Sequence, residues 1–200
     1  MKILLFGATG MLGQRIAAEL TGRGHEVTGL SRSGPVKGDV HDAATLAKGH
    51  DAVISAIAPP RDGTEPGPPF LAANRALIDG VRAAGVRRLI VMGGAGSLQV
   101  SPGVDLVDTP GFPEGLKKEA LAARAALELY REVTDLDWTY VSPAAELAPG
   151  ERTGAFRVGG DTLLTDEQGR SAISAEDLAI AIADEVEQNA HPRSRITVAY

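Results

Sequence analysis

Short apolar runs alternate along the chain with stretches in which apolar residues recur at helical spacing. The runs predict strands at residues 3–6, 25–30, 38–40, 51–58, 87–92, 136–142 and 196–200. The helical spacing predicts a first helix with Leu12, Ile16, Ala17 and Leu20 on one face, and further helices at residues 42–48, 70–84, 114–133 and 174–188. Residues 153–164 are predicted to form a small hairpin. Because strands alternate with helices, we expect one doubly wound α/β domain over residues 1–200, with helices on both faces of a parallel sheet in the strand order 3-2-1-4-5-6.

Three glycines stand where the first predicted strand meets the first helix. The sequence from Lys2 to Gly13 reads KILLFGATGMLG, with glycines at positions 7, 10 and 13. In a dinucleotide-binding turn the first glycine allows a sharp bend, the second lets a pyrophosphate approach the backbone, and the third lets the helix pack closely on the sheet. Free N–H groups and the positive end of the helix dipole then face the phosphates. We therefore expect a Rossmann nucleotide site here, the alternative being a tight turn without a ligand.

The residues after the second strand bear on the choice of nucleotide. Ser31, Arg32 and Ser33 lie about 20 residues past the glycine turn, where such folds read the ribose. NAD-selective proteins place an acidic residue there, whereas a guanidinium pairs well with a 2′-phosphate. Arg32 therefore favours NADP(H) over NAD(H), although it also fits a solvated loop. Asp39 is either an acceptor for an adenine amino group or a turn residue.

Small residues end the later strands at the same edge of the expected sheet. Residues 56–58 leave room for a cofactor, and a second glycine-rich turn at residues 93–97 follows the fifth strand. The proline-rich residues 59–69 predict a loop over the site, and loops at about 98–113 and 149–165 are expected to shape a substrate pocket. The nicotinamide is expected to lie toward Ser97 and Pro143. The expected cofactor-binding residues are Gly7, Ala8, Thr9, Gly10, Met11, Leu12, Gly13, Ser31, Arg32, Ser33, Asp39, Val40, Ala56, Ile57, Ala58, Gly94 and Pro143.

Composition and charge narrow the partners. The net charge of −6 and the pI near 5.2 argue against a general nucleic-acid binder. The N-terminal apolar run is broken by glycines and followed by Arg15 and Glu19, so we expect neither a signal peptide nor a membrane partner, and a cytoplasmic location. The absence of cysteine excludes thiol nucleophiles, and the four histidines lack metal-ligand spacing. We expect a small planar molecule as partner, no bound metal, and a monomer or homodimer.

Several motifs together resemble the atypical short-chain dehydrogenase/reductases. They are GATGMLG at residues 7–13, LSR at 30–32, GDV at 38–40, GGAGSL at 93–98, DWT at 137–139, SPA at 142–144 and SAEDLA at 174–179. Within that group the chain is similar to the NAD(P)H-binding branch of NmrA-like proteins, biliverdin reductase B-like proteins and NADH-flavin reductases. The resemblance covers nearly the whole chain and implies a Rossmann fold with a nicotinamide cofactor.

The chain departs from most short-chain dehydrogenases at their catalytic dyad. Those enzymes use Tyr-x-x-x-Lys, in which the lysine lowers the pKa of the tyrosine so that it can pass a proton. No lysine stands four residues after Tyr130 or Tyr140, and the third tyrosine is the last residue. Ser97 matches the family's catalytic serine position and is the one catalytic candidate. Alone it can donate a hydrogen bond but is a poor general acid, and it fits equally well as a turn serine.

Two functions fit these observations. The first is an NADPH-preferring reductase that passes hydride to a flavin or a similar planar conjugated acceptor, since such a cofactor carries the chemistry and the protein supplies positioning. Flavin is then a substrate rather than a bound cofactor. The second is a non-catalytic NADP(H)-binding sensor, which the NmrA-like resemblance allows. A nucleotide-sugar epimerase is less favoured, because it would want the Tyr/Lys pair and a larger C-terminal domain.

Overall fold

A seven-stranded, mostly parallel sheet forms the centre of the molecule. The computed structural model describes residues 1–60 and 63–200. Its strands are β1 (Lys2–Phe6), β2 (Glu26–Leu30), β3 (Ala52–Ser55), β4 (Arg88–Met92), β5 (Gln99–Ser101), β6 (Val104–Asp105), β7 (Asp137–Pro143), β8 (Glu146–Ala148), β9 (Arg157–Gly159), β10 (Ala172–Ser174) and β11 (Ser194–Ala199). The main sheet has the order β2-β1-β3-β4-β7-β11-β9, and only the β11–β9 pair is antiparallel. The pairs β8–β10 and β5–β6 form two small separate sheets.

Helices cover both faces of this sheet, as the sequence predicts. They are α1 (Met11–Gly22), α2 (Ala43–Leu46), α3 (Gly67–Ala83), α4 (Glu114–Arg131) and α5 (Ala175–Gln188). Side chains along β1 alternate between the two cores, with Ile3 in the core under α1 and α5 and Leu4 in the core under α2, α3 and α4. The doubly wound α/β fold is therefore confirmed.

The predicted third strand, at residues 38–40, does not form. Val40 begins a short 3₁₀ turn, Val40–Asp42, and the Asp39 carboxylate accepts from the N–H of His41 at its start. Ser31 and Lys37 form an isolated bridge beside the end of β2, but no ladder follows. The remaining predicted strands occur in the predicted order, so β2 is the edge strand on this side of the sheet.

The hairpin predicted at residues 153–164 is wrong. Instead of pairing locally, β9 adds to the last strand β11, with Val158 opposite Val198. Residues 161–163 pair with Gln99, whose N–H donates to the Asp161 carbonyl oxygen and whose carbonyl oxygen accepts from the N–H of Leu163. The backbone groups of this segment are thus satisfied by distant partners, which a local turn pattern does not reveal.

Two helix starts show how local chemistry sets the boundaries. α3 begins at Gly67, earlier than predicted, because Pro68 and Pro69 are tolerated in a first helical turn, where N–H groups have no partner. α5 begins as predicted, with the Ser174 hydroxyl accepting from the N–H of Asp177. Part of the predicted loop 59–69, residues 61 and 62, lies outside the described residues. No helix in the described part of the chain combines the length and apolarity needed to cross a bilayer.

Candidate active site

The turn between β1 and α1 depends on two close backbone approaches. Gly7 has φ +81°, and a Cβ atom there would lie 2.6 Å from the carbonyl oxygen of Ala56. A Cβ atom on Gly13 would overlap the carbonyl oxygen of Gly7. Gly10 is less crowded, since an added Cβ meets only the Gly7 carbonyl oxygen, at 3.3 Å. The geometry of Gly7 and Gly13 fits a sharp bend and close packing of the helix, whereas the approach of a pyrophosphate at Gly10 stays a prediction.

The N-terminus of α1 presents backbone donors that the protein does not use. Gly10 is the N-cap without a side-chain hydrogen bond, and the first turn carries no acidic residue. Among the described residues, no acceptor takes the N–H of Met11, Leu12 or Gly13, whereas the Gly10 N–H donates to Gly7. Unused donors at the positive end of a twelve-residue helix suit an anion. The residues present thus fit a dinucleotide pyrophosphate.

The loop after β2 lies beside this turn and is held together by its own hydrogen bonds. The Ser31 hydroxyl accepts from the N–H of Gly34, and the Ser31 N–H donates to the Val36 carbonyl oxygen. Gly34 packs against Thr9, since a Cβ atom on Gly34 would lie 2.8 Å from the Thr9 methyl carbon. The loop from residue 31 to residue 38 is therefore held against the glycine turn.

Two cations on this loop have no protein partner in the described part of the chain. Arg32 and Lys37 are exposed, and neither makes a hydrogen bond or an ion pair there. Ser33 is exposed as well. The loop can therefore offer positive charge to a ligand phosphate, as expected for Arg32, while Lys37 was not singled out from the sequence.

Asp39 and Val40 contribute to the site in different ways. Asp39 Oδ1 accepts from the His41 N–H at 3.0 Å and lies 2.5 Å from His41 Nδ1. The hydrogen bond from the His41 backbone N–H is the main cause that lowers the pKa of Asp39 below its ordinary value. The His41 side chain and the charge of Arg32 act in the same direction, and partial burial acts against them. Val40 is buried in the core between the sheet and α2. Only Asp39 therefore offers a side chain to an adenine, and that role stays a prediction.

The ends of β3, β4 and β7 lie at the same edge of the sheet as the glycine turn, because these strands are parallel to β1. Ala56 touches Gly7, Ile57 is half-buried, and Ala58 is exposed. Gly93, at the end of β4, leaves no room for a side chain, since a Cβ atom would overlap the ring of Tyr140. Gly94 is half-buried beside α4, and the buried Pro143 ends β7 opposite Val198 of β11. The sheet thus brings the predicted segments to one edge.

Ser97 is less open than its predicted role suggests. It ends the 3₁₀ turn Ala95–Ser97 and keeps 6% of its surface exposed. Its hydroxyl and carbonyl oxygens both accept from Nη1 of Arg195, each at 2.9 Å. Sequence reasoning missed Arg195, because it lies 98 residues away at the start of a strand predicted to begin at 196. Catalysis by Ser97 stays a prediction, but this serine has a charged partner.

The hydroxyls of all three tyrosines already have protein partners, and Tyr130 and Tyr140 are buried. The Tyr130 hydroxyl donates to Asn74 Oδ1 at 2.8 Å, and the Tyr140 hydroxyl donates to the Ala123 carbonyl oxygen at 2.8 Å. Burial raises the pKa of both hydroxyls. Tyr200 donates to the carboxylate of Asp177. None of them replaces the missing tyrosine–lysine dyad, since all three hydroxyls already serve structural acceptors.

Two surface grooves lie away from the glycine turn. One runs between α1 and α5, where Arg15 pairs with Glu176 at 2.5 Å and Arg23 pairs with Glu19 at 2.9 Å. The other lies around β8 and β10, where Arg170 pairs with Glu146. Because the arginines of both grooves already pair with carboxylates, the strand-edge site remains the better candidate for a charged nucleotide.

Known proteins resemble the chain along its whole length. A sequence family described as NAD(P)H-binding matches residues 7–189. A Burkholderia pseudomallei structure, provisionally named an exported protein, is 51% identical over 100% of both chains with a TM-score of 0.91. A Bacteroides thetaiotaomicron structure, provisionally named an epimerase, is 38% identical over 100% of this chain and 96% of that one, with a TM-score of 0.91. A Streptococcus pneumoniae structure, provisionally named an NADH-flavin reductase, is 35% identical over 100% of this chain and 99% of that one, with a TM-score of 0.86.

Proposed function

The chain belongs to the NAD(P)H-binding family, and from this premise we propose that it is an NADPH-preferring reductase of a flavin or a similar planar conjugated acceptor. The observation that carries the proposal is the turn from Gly7 to Gly13, with its close glycine contacts and N–H groups left without a protein acceptor. When bound, the dihydronicotinamide supplies the hydride, and water supplies the proton that balances the reduction. The protein's own contribution is binding and orientation.

The first residues of α1 would hold the pyrophosphate through their backbone N–H groups. The small residues at the ends of β3 and β4 would leave the nicotinamide half of the nucleotide open to an acceptor. Met11 supports this arrangement, because 41% of this apolar residue is exposed beside the turn, where a nucleotide would cover it. The loops at residues 98–113 and 149–165 would then enclose the acceptor.

The preference for NADPH rests on the loop after β2. Arg32 and Lys37 are exposed cations without a partner in the described residues, and residues 31–37 contain no Asp or Glu to accept from ribose hydroxyls. A 2′-phosphate would satisfy a guanidinium that nothing else satisfies. The Streptococcus pneumoniae relative is named for NADH, so the NADPH preference rests on this chain's own loop.

The choice of a planar acceptor rests on what the site lacks. All three tyrosine hydroxyls already donate to protein acceptors, so the site offers no tyrosine to protonate an alkoxide. Hydride transfer to a conjugated ring spreads the negative charge over the ring and does not need a strong protein acid. The flavin reductase name of the Streptococcus pneumoniae relative agrees with this reading. The dyad missing from this chain argues against transferring the epimerase name of the Bacteroides relative to it.

The proposal is tested by NADPH oxidation with FMN, FAD and quinones, each compared with NADH. We expect turnover with at least one of these acceptors and a lower KM for NADPH than for NADH. A matched control is the Gly10→Val variant, whose branched side chain occupies the space of the pyrophosphate and removes turnover with every acceptor. Oxidation that survives in this variant would show that the reaction occurs elsewhere.

The alternative is an NADP(H)-binding sensor without catalysis. The engaged tyrosines favour it, because all three hydroxyls already donate to protein acceptors. Tight NADPH binding without oxidation by any flavin, quinone or conjugated carbonyl would support the sensor. A protein captured only in the presence of NADP would support it further.

A further inference from the structure

Arg195 of β11 is buried under the second glycine-rich turn. Its side chain is 3% exposed. Nη1 donates to both the carbonyl oxygen and the hydroxyl oxygen of Ser97. On its other side, Nε donates to Asp161 Oδ1 at 2.7 Å and Nη2 donates to the Asp161 carbonyl oxygen at 3.3 Å. One guanidinium therefore joins the turn after β4 to the segment after β9.

These two segments also bond to each other. The Gln99 N–H donates to the Asp161 carbonyl oxygen at 2.8 Å, and the Leu163 N–H donates to the Gln99 carbonyl oxygen at 2.9 Å. Gln99 lies in the loop 98–113 and Leu163 in the loop 149–165, the two loops expected to enclose the acceptor. Arg195 thus lies at the point where both acceptor loops are fixed to the sheet.

The contact with Arg195 also determines what the Ser97 hydroxyl can do. A guanidinium has donors only, so the Ser97 oxygen must be the acceptor in this pair. The hydroxyl proton itself has no acceptor among the described residues. A hydroxyl that accepts from a charged donor is polarised and becomes a stronger donor in turn. The Ser97 hydroxyl therefore still has its proton to donate to a ligand.

We propose that Arg195 is a positioning residue of the acceptor site, acting through Ser97. It holds Ser97 as a hydrogen-bond donor toward a carbonyl oxygen or a ring nitrogen of the acceptor, and it keeps the two acceptor loops in register. This assignment rests on the proposed reductase function, because it gives Ser97 an acceptor molecule to meet. It also specifies the substrate class, because the acceptor must then have a lone pair at the edge of its conjugated system.

The test is a double-mutant cycle in the full chain. Arg195→Met removes the donors at similar length, and Ser97→Ala removes the hydroxyl. If Arg195 acts through Ser97, each change lowers kcat/KM for the acceptor about tenfold, and the double variant loses no more than either single one. The Kd for NADPH stays near the wild-type value in all three. Additive losses, or an equal loss in NADPH affinity, would make Arg195 a purely structural residue.

A matched pair of lysine variants distinguishes a loss of positioning at Ser97 from a general folding defect. Arg88 is another buried arginine of the sheet, paired with Glu185 at 2.7 Å at the opposite end of the strands. Arg195→Lys keeps the charge but cannot bridge both segments, so it should lower kcat/KM for the acceptor. Arg88→Lys should lower Tm and leave kcat/KM unchanged. Equal effects of both variants on kcat/KM would overturn the assignment.

A second readout does not depend on turnover. Hydrogen exchange of the Gln99 and Leu163 amides, measured with NADPH present, should be faster in Arg195→Met by about tenfold or more, since the segments they join lose their shared anchor. Unchanged exchange would overturn the inference whether or not the protein is a reductase. If the wild-type protein oxidises NADPH and Arg195→Met does so equally well, the inference fails and the proposed function stands. If the wild type oxidises no NADPH, the proposed function fails and the acceptor-positioning role fails with it, whereas faster exchange in Arg195→Met still shows that Arg195 holds the two segments together.

Discussion

Gly13 lies so close to Gly7 that a Cβ atom on Gly13 would overlap the carbonyl oxygen of Gly7. Gly10, between them, has the same oxygen 3.3 Å from its would-be Cβ and no other nearby contact. The glycines of one turn are therefore required for different reasons. Gly13 is needed for the helix to pack against the turn, whereas we expect Gly10 to be needed for the pyrophosphate to approach.

Substitutions at these two glycines should separate folding from binding. Gly13→Ala places a methyl against backbone and should cost about 1–3 kcal/mol, lowering Tm by about 2–4 °C for each kcal/mol. Gly10→Thr keeps a residue that suits an N-cap, so Tm should stay close to the wild-type value while NADPH binding is lost. Thermal unfolding and calorimetry measure the two effects. Unchanged NADPH affinity in Gly10→Thr would reject the placement of the pyrophosphate.

Arg32→Ala should change nucleotide selectivity. A charge-assisted hydrogen bond to a 2′-phosphate contributes about 1.5–3 kcal/mol, so the Kd for NADPH should rise roughly tenfold to a hundredfold. The Kd for NADH should barely change. The control is Lys48→Ala, which removes one exposed positive charge elsewhere and should affect neither nucleotide. Equal losses for NADPH and NADH in Arg32→Ala would show that Arg32 does not contact the 2′-phosphate.

Tyr140→Phe should leave the reaction intact. The hydroxyl is buried and donates to the Ala123 carbonyl oxygen inside α4, so losing this one hydrogen bond should cost about 0.5–1.5 kcal/mol of stability. The ring remains against Gly93, so the turn after β4 keeps its shape. Turnover measured below the lowered Tm should match that of the wild type. A large loss of kcat would mean that Tyr140 takes part in proton transfer after all.

Stability should depend on pH through the carboxylate of Asp177. Burial alone would raise the pKa of Asp177, but donors from Thr153, Gly154 and Tyr200 together lower it below its ordinary value of 3.8. Since the pKa is lowered on folding, the contribution to stability is fully present above pH 3.8 and is lost as the pH falls through the folded-state pKa. Denaturant unfolding at a series of pH values measures this loss.

The control for this pH dependence is Asp177→Asn, which does not titrate. This variant should be less stable than the wild type at neutral pH, yet its free energy of unfolding should fall less steeply below pH 3.8. The remaining carboxylates are common to both proteins and cancel in the comparison. Parallel curves would show that Asp177 does not hold the loop at Thr153 through its charge.

Much of the fold could be predicted because short stretches of the sequence specify its helices, strands and turns. Short apolar runs, helical stripes, and glycines at positions 7, 10 and 13 each act over a few residues. The handedness of parallel crossovers and the parallel direction of the strands then bring the ends of β1, β3 and β4 to one edge. The nucleotide-site segments around Gly7, Arg32 and Ala56 were therefore accessible from the sequence alone.

Residues 38–40 failed to form a strand for a local reason: Gly38 and Asp39 are poor strand formers, and the Asp39 side chain accepts from the His41 N–H, which begins a 3₁₀ turn. The other differences were decided by contacts between distant residues. The segment at β9 pairs with β11 rather than with its own neighbours, because the last strand leaves an open edge. Arg195 meets Ser97 across 98 residues. A local sequence pattern cannot predict such a contact, because it contributes to stability only after the sheet has brought the two segments together.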